Sequence, residues 1–165
     1  MNSIQKFFDG YYDDYVDYVK RYKIISRKDI PPKEFFNQQI EILRKKWKAK
    51  VFDGNLKVKL APLTCEPSPG CINYGKFKFK KLNAIFYLDG GALIIKLESN
   101  YEYGHPSWDE YSSIYDVCLG EYGTSAYKML YKLNFDGLLT YLKFFLSTYS
   151  NDSNIEEFLD VPDDY

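Results

Sequence analysis

The hydrophobic period of this chain changes along its length, and that change constrains the fold more than any other feature. From residue 3 to about residue 50, apolar side chains recur every three or four residues, which is the period of an amphipathic helix. From residue 56 onward they alternate with polar side chains or form short apolar runs, which is typical of strands. This order predicts an α+β domain with two N-terminal helices, a mainly antiparallel sheet of about four to six strands and a C-terminal helix packed on the sheet.

The two N-terminal helices are expected over residues 3–23 and about 32–50, and each has one apolar stripe. Acids lie near the start of the first helix and cations near its end, which suits the helix dipole. Gly10 lies inside this segment and weakens a helix by up to about 1 kcal/mol relative to alanine. The residues expected to be buried are Ile4, Phe8, Tyr11, Tyr15, Tyr18 and Tyr22 in the first helix and Phe36, Ile40, Leu43 and Trp47 in the second.

Strand signals follow a turn that is predicted at residues 52–55. Residues 56–60 and 76–80 alternate strictly between apolar side chains and lysines, so each is expected to be a half-buried strand. If these two strands are neighbours, their lysines share one solvent-exposed face. The Asp-Gly-Gly sequence at 89–91 predicts a hairpin turn between two nearly continuous apolar strands, which we expect to be covered on both faces.

The C-terminal part is expected to contain a second hairpin and the final helix. Residues 111–119 and 124–133 suit the two strands of that hairpin, although the second of these segments also suits a helix. Asn134 or Asp136 is expected to cap a last, largely buried helix over about 137–149.

The length of 165 residues suits a single domain, which we expect over residues 1–150. Residues 151–165 contain six acids and no base, which predicts a flexible acidic tail. No stretch approaches the roughly 18 apolar residues that span a bilayer, so no membrane partner is expected. The N-terminal residues lack the pattern of a signal peptide, and we expect a cytoplasmic protein. The sequence leaves the oligomeric state open.

Charge is divided along the chain, although the formal net charge is only −1. Residues 1–19 have one lysine and four acids, a balance of −3. Residues 20–81 have seventeen lysines or arginines and five acids, a balance of +12, and residues 82–165 have four lysines and fourteen acids, a balance of −10. Such a chain either pairs its halves within the fold or presents one basic and one acidic surface.

The basic segment makes nucleic-acid binding one candidate function. Its cations cluster at the end of the second predicted helix and on the polar faces of the two alternating strands, a placement suited to neutralising phosphates. Under this interpretation the chain is a nucleic-acid-binding accessory protein, although lysines on an outer strand face also keep a sheet from aggregating. The candidate residues are Arg44, Lys45, Lys48, Lys57, Lys59, Lys76, Lys78 and Lys80.

The acidic segment favours a different function, which is binding to a protein partner with a basic surface. It mixes carboxylates with large rings, and these supply electrostatic steering and buried anchors at protein interfaces. We favour this interpretation, under which the chain is a non-catalytic binding protein. It could act as a small inhibitor of a larger effector, as bacterial immunity proteins and phage or viral anti-defence proteins do. The alternative explanation is that this acidic and aromatic segment is an ordinary solvated loop region, which has the same composition. The candidate residues are Tyr101, Tyr103, Trp108, Asp109, Glu110, Tyr111 and Tyr115.

A metal-dependent enzyme is the third and least favoured interpretation. Cys65, Cys71, Cys118 and His105 form a ligand set that zinc accepts, but their spacing is unlike that of a structural zinc site. We therefore expect neither a metal nor another cofactor. The chain contains no nucleophile elbow and no glycine-rich phosphate-binding motif. A reaction that uses only Asp, Glu, Lys and Tyr leaves no such motif, so no catalytic residues are assigned.

Overall fold

The structure is a computed structural model, and it describes residues 2–65, 77–79, 81–99, 111–113 and 122–147. The predicted α+β class is confirmed, with N-terminal helices, an antiparallel sheet and C-terminal helices. The helices are α1 (Ser3–Phe7), α2 (Tyr11–Arg21), α3 (Lys33–Lys45), α4 (Tyr122–Tyr131) and α5 (Phe135–Ser147), with a 3-10 helix at Arg27–Asp29. The strands are β1 (Lys50–Phe52), β2 (Asn55–Lys59), β3 (Leu63–Cys65), β4 (Phe77–Phe79), β5 (Leu82–Asp89), β6 (Ala92–Ser99) and β7 (Tyr111–Ser113).

The first predicted helix is in fact two helices, because the chain breaks at Gly10. Gly10 has a φ of 75°, a left-handed conformation that glycine adopts without strain, and it lies at the N-cap position of α2. The short helix α1 begins with a capping box between Asn2 and Gln5. Val19 rather than Tyr22 completes the buried stripe of α2, since Tyr22 lies beyond the helix and is 60% exposed.

The second helix, α3, ends at Lys45, which is earlier than the predicted end near residue 50. Its apolar stripe is buried as far as Leu43, as predicted. Lys48 then has a φ of 53°, a left-handed conformation that turns the backbone away from the helix axis. The chain can therefore begin β1 at a position that the sequence pattern assigns to the helix.

The main sheet has five strands in the order β1-β2-β5-β6-β7, and every neighbouring pair is antiparallel. Strands β3 and β4 form a separate two-stranded sheet. The two alternating segments therefore do not pair with each other, because β2 lies between β1 and β5 while β4 pairs with β3. Among the described lysines, Lys78 of β4 therefore does not lie on a strand next to Lys57 and Lys59 of β2, so these residues do not form the expected shared face.

Two hairpins of the main sheet have the turns that their sequences predict. Asp53 and Gly54 join β1 to β2, and both have positive φ values, 51° and 79°, as a type I′ turn requires. Gly90 and Gly91 join β5 to β6, and the φ of Gly90 is 59°. These turns fix the register of strands β1, β2, β5 and β6, and with it the side chains that share each face.

One face of the main sheet packs against the helices. On that face the register aligns Leu56 of β2, Phe86 of β5 and Ile95 of β6, and all three side chains are buried. On the opposite face Ile85 and Glu98 are buried as well. The central strands are therefore covered on both faces at these positions, as their apolar composition predicts.

The predicted second hairpin is wrong. Residues 111–113 form β7 beside β6, but most of residues 124–133 belong to α4. Leu133 then has a φ of 58°, which ends the helical run. The Oδ1 atom of Asn134 accepts a hydrogen bond from the backbone N–H of Gly137 at 3.0 Å, which confirms Asn134 as the cap of α5. Residues 122–147 therefore form a pair of helices, and Asn134 is one of the two residues predicted to cap the second of them.

Aromatic rings join the first and last helices to the sheet. Phe135 of α5 stacks on Phe8 with ring centroids 5.7 Å apart, and it meets Phe86 of β5 edge-on at 5.6 Å. Phe36 of α3 contacts Phe8 edge-on at 5.5 Å. Each such pair stabilises a core by about 0.5–1.5 kcal/mol beyond the burial of its surface. The C-terminal helix thus packs on the sheet, as predicted.

Some sequence predictions concern segments that the structure does not describe. The predicted acidic tail, residues 151–165, lies outside the described residues, so the domain boundary near residue 150 stays a prediction. Within the described ranges, no helix is long and apolar enough to cross a lipid bilayer.

Candidate anion-binding groove

Lysines gather on the outer face of the main sheet because of the strand register. Lys50 of β1 lies opposite Lys57 of β2, and Lys59 of β2 lies opposite Asn83 of β5. Side chains that pair across antiparallel strands lie on the same face, and so do side chains two residues apart in one strand. Lys50, Lys57 and Lys59 therefore share this face. Lys48, just before β1, adds a fourth cation, and its side chain is exposed. Like charges placed opposite one another repel, and an anion bound between them would relieve that repulsion.

These lysines line an open groove of about 340 Å³. Its volume lies at the lower end of the range that is typical of small-ligand sites. Every charged side chain in the described lining is a cation. We call this feature the basic groove, and its lining residues are Lys48, Lys50, Val51, Phe52, Lys57, Lys59 and Asn83.

An exposed aromatic ring lies at the end of β1, beside the hairpin turn. Phe52 is 62% exposed, and the Nζ atom of Lys57 lies 5.1 Å from the centroid of its ring. A cation–π contact at such an exposed position contributes about 0.5–1 kcal/mol. Val51, the preceding residue, is 36% exposed. The basic groove therefore combines positive charge with a flat apolar surface on which a planar ligand can stack.

A buried carboxylate supports the basic groove from β6. Glu98 is only 4% exposed, and its Oε1 atom accepts a hydrogen bond from Nδ2 of Asn83 at 2.8 Å. The same oxygen lies 3.4 Å from Nζ of Lys57 and 3.6 Å from Nζ of Lys81. A buried carboxylate requires such partners, because the desolvation of an unpaired one costs several kcal/mol. Glu98 therefore holds two of the groove-lining side chains, Lys57 and Asn83, in place.

The last helix holds the segment that leads into the basic groove. The Nε1–H group of Trp47 donates a hydrogen bond to Oδ1 of Asp136 at 2.9 Å, and Nζ of Lys46 lies 2.9 Å from the same oxygen. The backbone N–H of Asp136 donates to Oε1 of Gln39 at 2.9 Å. The hydrogen bonds from Lys46 and Trp47 lower the pKa of the Asp136 carboxyl. We call these four residues the Asp136 latch.

Trp47 differs from its prediction, which placed it on the buried stripe of the second helix. It lies beyond the end of α3 and is only half-buried. Its side chain packs against the edge of the hydrophobic core, and its indole N–H also donates a hydrogen bond to Asp136 of α5. The prediction failed because it extended the helical period past Lys45, where the helix ends.

The basic groove contains part of the predicted nucleic-acid-binding set. Arg44 and Lys45 do not line it, because they lie on α3 and form ion pairs with Glu41 at 2.8 Å and 3.8 Å. The hydrogen bond from Arg44 lowers the pKa of the Glu41 carboxyl. The predicted residues that the structure does bring together in the groove are Lys48, Lys57 and Lys59.

Of the other predicted nucleic-acid-binding residues, only one is described by the structure. Lys78 belongs to β4 in the second sheet, and Lys76 and Lys80 lie outside the described residues. The sequence prediction missed Lys50, Phe52 and Asn83, which also line the groove. The signal for the first two was available: a type I′ turn at Asp-Gly requires residues 50–52 to pair with 55–57 as a strand. Nothing in the local sequence marks Asn83, because its neighbours in the groove come from other strands.

Most of the predicted protein-binding surface cannot be placed in the fold. Tyr111 is the first residue of β7, and its Cα partner in β6 is Glu98. The other six predicted residues lie outside the described residues, namely Tyr101, Tyr103, Trp108, Asp109, Glu110 and Tyr115. Binding through the acidic and aromatic segment therefore stays a prediction from the sequence.

The weak candidate metal set is also only partly described. Cys65 is the last residue of β3, where its Cα partner in β4 is Phe77. Cys71, His105 and Cys118 lie outside the described residues. Among the residues that are described, no three His, Cys, Asp or Glu side chains are grouped in a way that could hold a metal ion.

Comparisons of the chain with protein-family models, with curated proteins and with solved structures gave no match. Ammonium groups, an exposed phenyl ring and one side-chain amide surround an open space. This arrangement suits a ligand that carries both negative charge and a planar ring.

Proposed function

We propose that this protein is a non-catalytic binding protein whose basic groove holds single-stranded nucleic acid. One observation carries the proposal: four lysines and an exposed phenylalanine line a single groove. Lysines neutralise phosphates and release their counterions, and aromatic side chains stack on bases. These two contributions together are typical of proteins that bind single strands without a base-pairing requirement. A cytoplasmic location, which the sequence predicts, is part of the proposal.

The exposed ring favours a single strand over a duplex and over an acidic protein. In a duplex the faces of the bases are covered by their neighbours, so Phe52 would have no planar partner to stack on. An acidic peptide matches the lysines equally well but offers no regular series of planar rings. Unpaired bases supply both the charge and the flat surface, because every nucleotide carries a phosphate and a π-face.

The charge contribution can be tested with a paired substitution in the groove and a matched pair outside it. Lys50 and Lys59 are both exposed strand residues, and Lys50→Gln with Lys59→Gln removes two positive charges from the basic groove. Lys128→Gln with Lys143→Gln removes the same charge from exposed positions on α4 and α5. Binding of a labelled single-stranded oligonucleotide, followed by fluorescence anisotropy at several salt concentrations, compares the two variants.

The expected salt dependence follows from the number of groove cations. Lys57 already contacts Glu98, so three to four phosphates are neutralised, and log K should fall with log salt at a slope of roughly −2 to −3. The groove variant should flatten this slope by roughly 1.4, because each neutralised phosphate of a single strand contributes about 0.7. The control variant should leave the slope close to that of the wild type. Equal slopes in both variants would place the binding surface elsewhere.

The stacking contribution has an equally close control. Phe52 and Phe144 are 62% and 63% exposed, but only Phe52 lines the basic groove. Phe52→Ala should weaken oligonucleotide binding by about 5- to 150-fold, since stacking on one base is worth about 1–3 kcal/mol. Phe144→Ala should leave it unchanged. If polyglutamate of similar charge competes as well as the oligonucleotide does, the basic groove binds polyanions in general and the nucleic-acid assignment is wrong.

A further inference from the structure

We propose that Asn83 reads the bases in the basic groove by accepting a hydrogen bond from their exocyclic amines, so that the groove prefers cytosine to uracil. This proposal rests on the proposed function, and it adds a specificity-determining residue to it. The buried carboxylate of Glu98 determines the orientation of the Asn83 side-chain amide.

Glu98 leaves the Asn83 amide only one orientation. An ionised carboxylate has no hydrogen to donate, so only the Nδ2 group of Asn83 can donate to Oε1 of Glu98. Lys57 and Lys81 lie within 3.6 Å of that oxygen and favour the ionised form of Glu98. The carbonyl Oδ1 of Asn83 is therefore directed away from Glu98, and no described residue donates a hydrogen bond to it.

The Asn83 carbonyl, a hydrogen-bond acceptor, lies among side chains that are hydrogen-bond donors. Among the residues that the structure describes, the charged ones lining the basic groove are all lysines, which only donate hydrogen bonds. Base carbonyl and ring nitrogen acceptors can therefore be satisfied by several ammonium groups. A base amine, in contrast, finds its acceptor at Asn83 within the described lining. A base with an exocyclic amine gains this hydrogen bond, whereas the O4 atom of uracil would face another acceptor at the same place.

Asn83 and the stacking surface are joined through a single lysine. The Nζ atom of Lys57 lies 5.1 Å from the ring centroid of Phe52 and 3.4 Å from the Glu98 oxygen that orients Asn83. Phe52, Lys57 and Asn83 all line the same groove. A nucleotide stacked on Phe52, or the next one along the strand, therefore lies near the fixed carbonyl.

A deoxycytidine dodecamer and a deoxyuridine dodecamer test this directly, because both are unpaired pyrimidine chains with the same backbone. The wild-type protein should bind the cytidine strand about three- to tenfold more tightly, the range expected for one hydrogen bond. Asn83→Ala removes the acceptor and should bring the two affinities together while the salt dependence of binding persists. A residue with only a structural role would change both affinities by the same factor and leave their ratio unaltered.

Glu98→Gln provides a second variant that keeps Asn83 in place. A glutamine amide both donates and accepts, so the Asn83 amide can turn over and present Nδ2 to the groove. We expect the cytidine-to-uridine affinity ratio to fall to one or below in this variant. Retention of the wild-type ratio in either variant would overturn the assignment to Asn83.

The outcomes for the wild-type protein separate this inference from the proposed function. Equal affinity for the two dodecamers, with a steep salt dependence, overturns base reading but leaves single-strand binding intact. Preference for the uridine strand also overturns the inference. No binding of either strand at low salt overturns both, because the basic groove then holds no nucleic acid.

Discussion

Replacing Asp136 with alanine should lower the free energy of unfolding by about 1.5–4 kcal/mol, because Asp136 holds the segment before the basic groove against α5. The hydrogen bond from Trp47 to its ionised carboxylate accounts for about 1.5–3 kcal/mol in a partly buried setting. Lys46 adds at most about 1 kcal/mol, since its side chain is 58% exposed and solvent screens the ion pair. The bond between the Asp136 backbone and Gln39 does not depend on the side chain and should remain.

The coupling between Trp47 and Asp136 can be isolated with a double-mutant cycle. Trp47→Phe removes the indole donor and keeps most of the ring, and it should cost about 1–2 kcal/mol. The two single variants and the double variant are compared by urea unfolding, followed by far-UV circular dichroism because one substitution removes a tryptophan. We expect a coupling free energy of about 1–2 kcal/mol, as is usual for side chains in direct contact. Asp136→Asn, which keeps an acceptor but loses the charge, should cost less than Asp136→Ala.

The same latch should make stability depend on pH in a specific direction. The Lys46 hydrogen bond, together with that from Trp47, gives Asp136 a lower pKa in the folded protein than in the unfolded chain. A carboxyl of this kind adds stability that is fully present above its unfolded pKa of about 3.9 and is lost as pH falls through the folded pKa. The stability difference between wild type and Asp136→Asn should therefore be largest above about pH 5 and shrink below pH 4.

Two results would refute this reasoning about the latch. A coupling free energy below about 0.5 kcal/mol would mean that the Trp47 contact contributes no more than an exposed ion pair. The free energies of unfolding of the wild type and of Asp136→Asn could also differ by the same amount at pH 7 and pH 2.5. That result would mean that the charge of Asp136 does not contribute to stability.

Two further substitutions test how the helices are placed on the sheet. Gly91→Ala should destabilise the protein by about 1–3 kcal/mol or prevent folding, because a Cβ atom there would overlap the backbone oxygen of Asp14 and the Cβ of Tyr18 in α2. Thermal unfolding measures this loss of stability. An unchanged midpoint would show that the hairpin turn does not pack closely on the helix. Tyr15→Phe removes the hydrogen bond that the buried Tyr15 hydroxyl donates to the carbonyl of Tyr131 and should cost about 1–3 kcal/mol in urea unfolding. A neutral effect would mean that this carbonyl finds another donor.

The fold class could be predicted because its signals are local. The change of hydrophobic period, the Asp-Gly and Gly-Gly turns and the asparagine cap each act within a few residues, and each is present in the structure. The errors lie where local signals compete. Gly10 breaks a helix that the apolar stripe continues across, and residues 124–133 satisfy both strand and helix patterns but form a helix against the core.

The candidate site was harder to predict, because its parts come from separate segments. Lys57 and Lys59 were identified from their alternation, but their neighbours in the groove depend on which strands pair. The sequence pattern suggested a second lysine-rich strand beside β2, whereas β2 pairs with β1 and β5 instead. The role of Asn83 could not be inferred at all, since it depends on Glu98 in the next strand.

The stacking of Phe8 on Phe135 also constrains how the protein is made. Residues separated by almost the whole described chain meet in one aromatic cluster, and the Asp136 latch lies beside it in sequence. During synthesis the N-terminal helices therefore emerge well before the helix that completes their core. Until α5 leaves the ribosome, the apolar faces of α1, α2 and α3 lack their final partner, and chaperones can bind them during that interval.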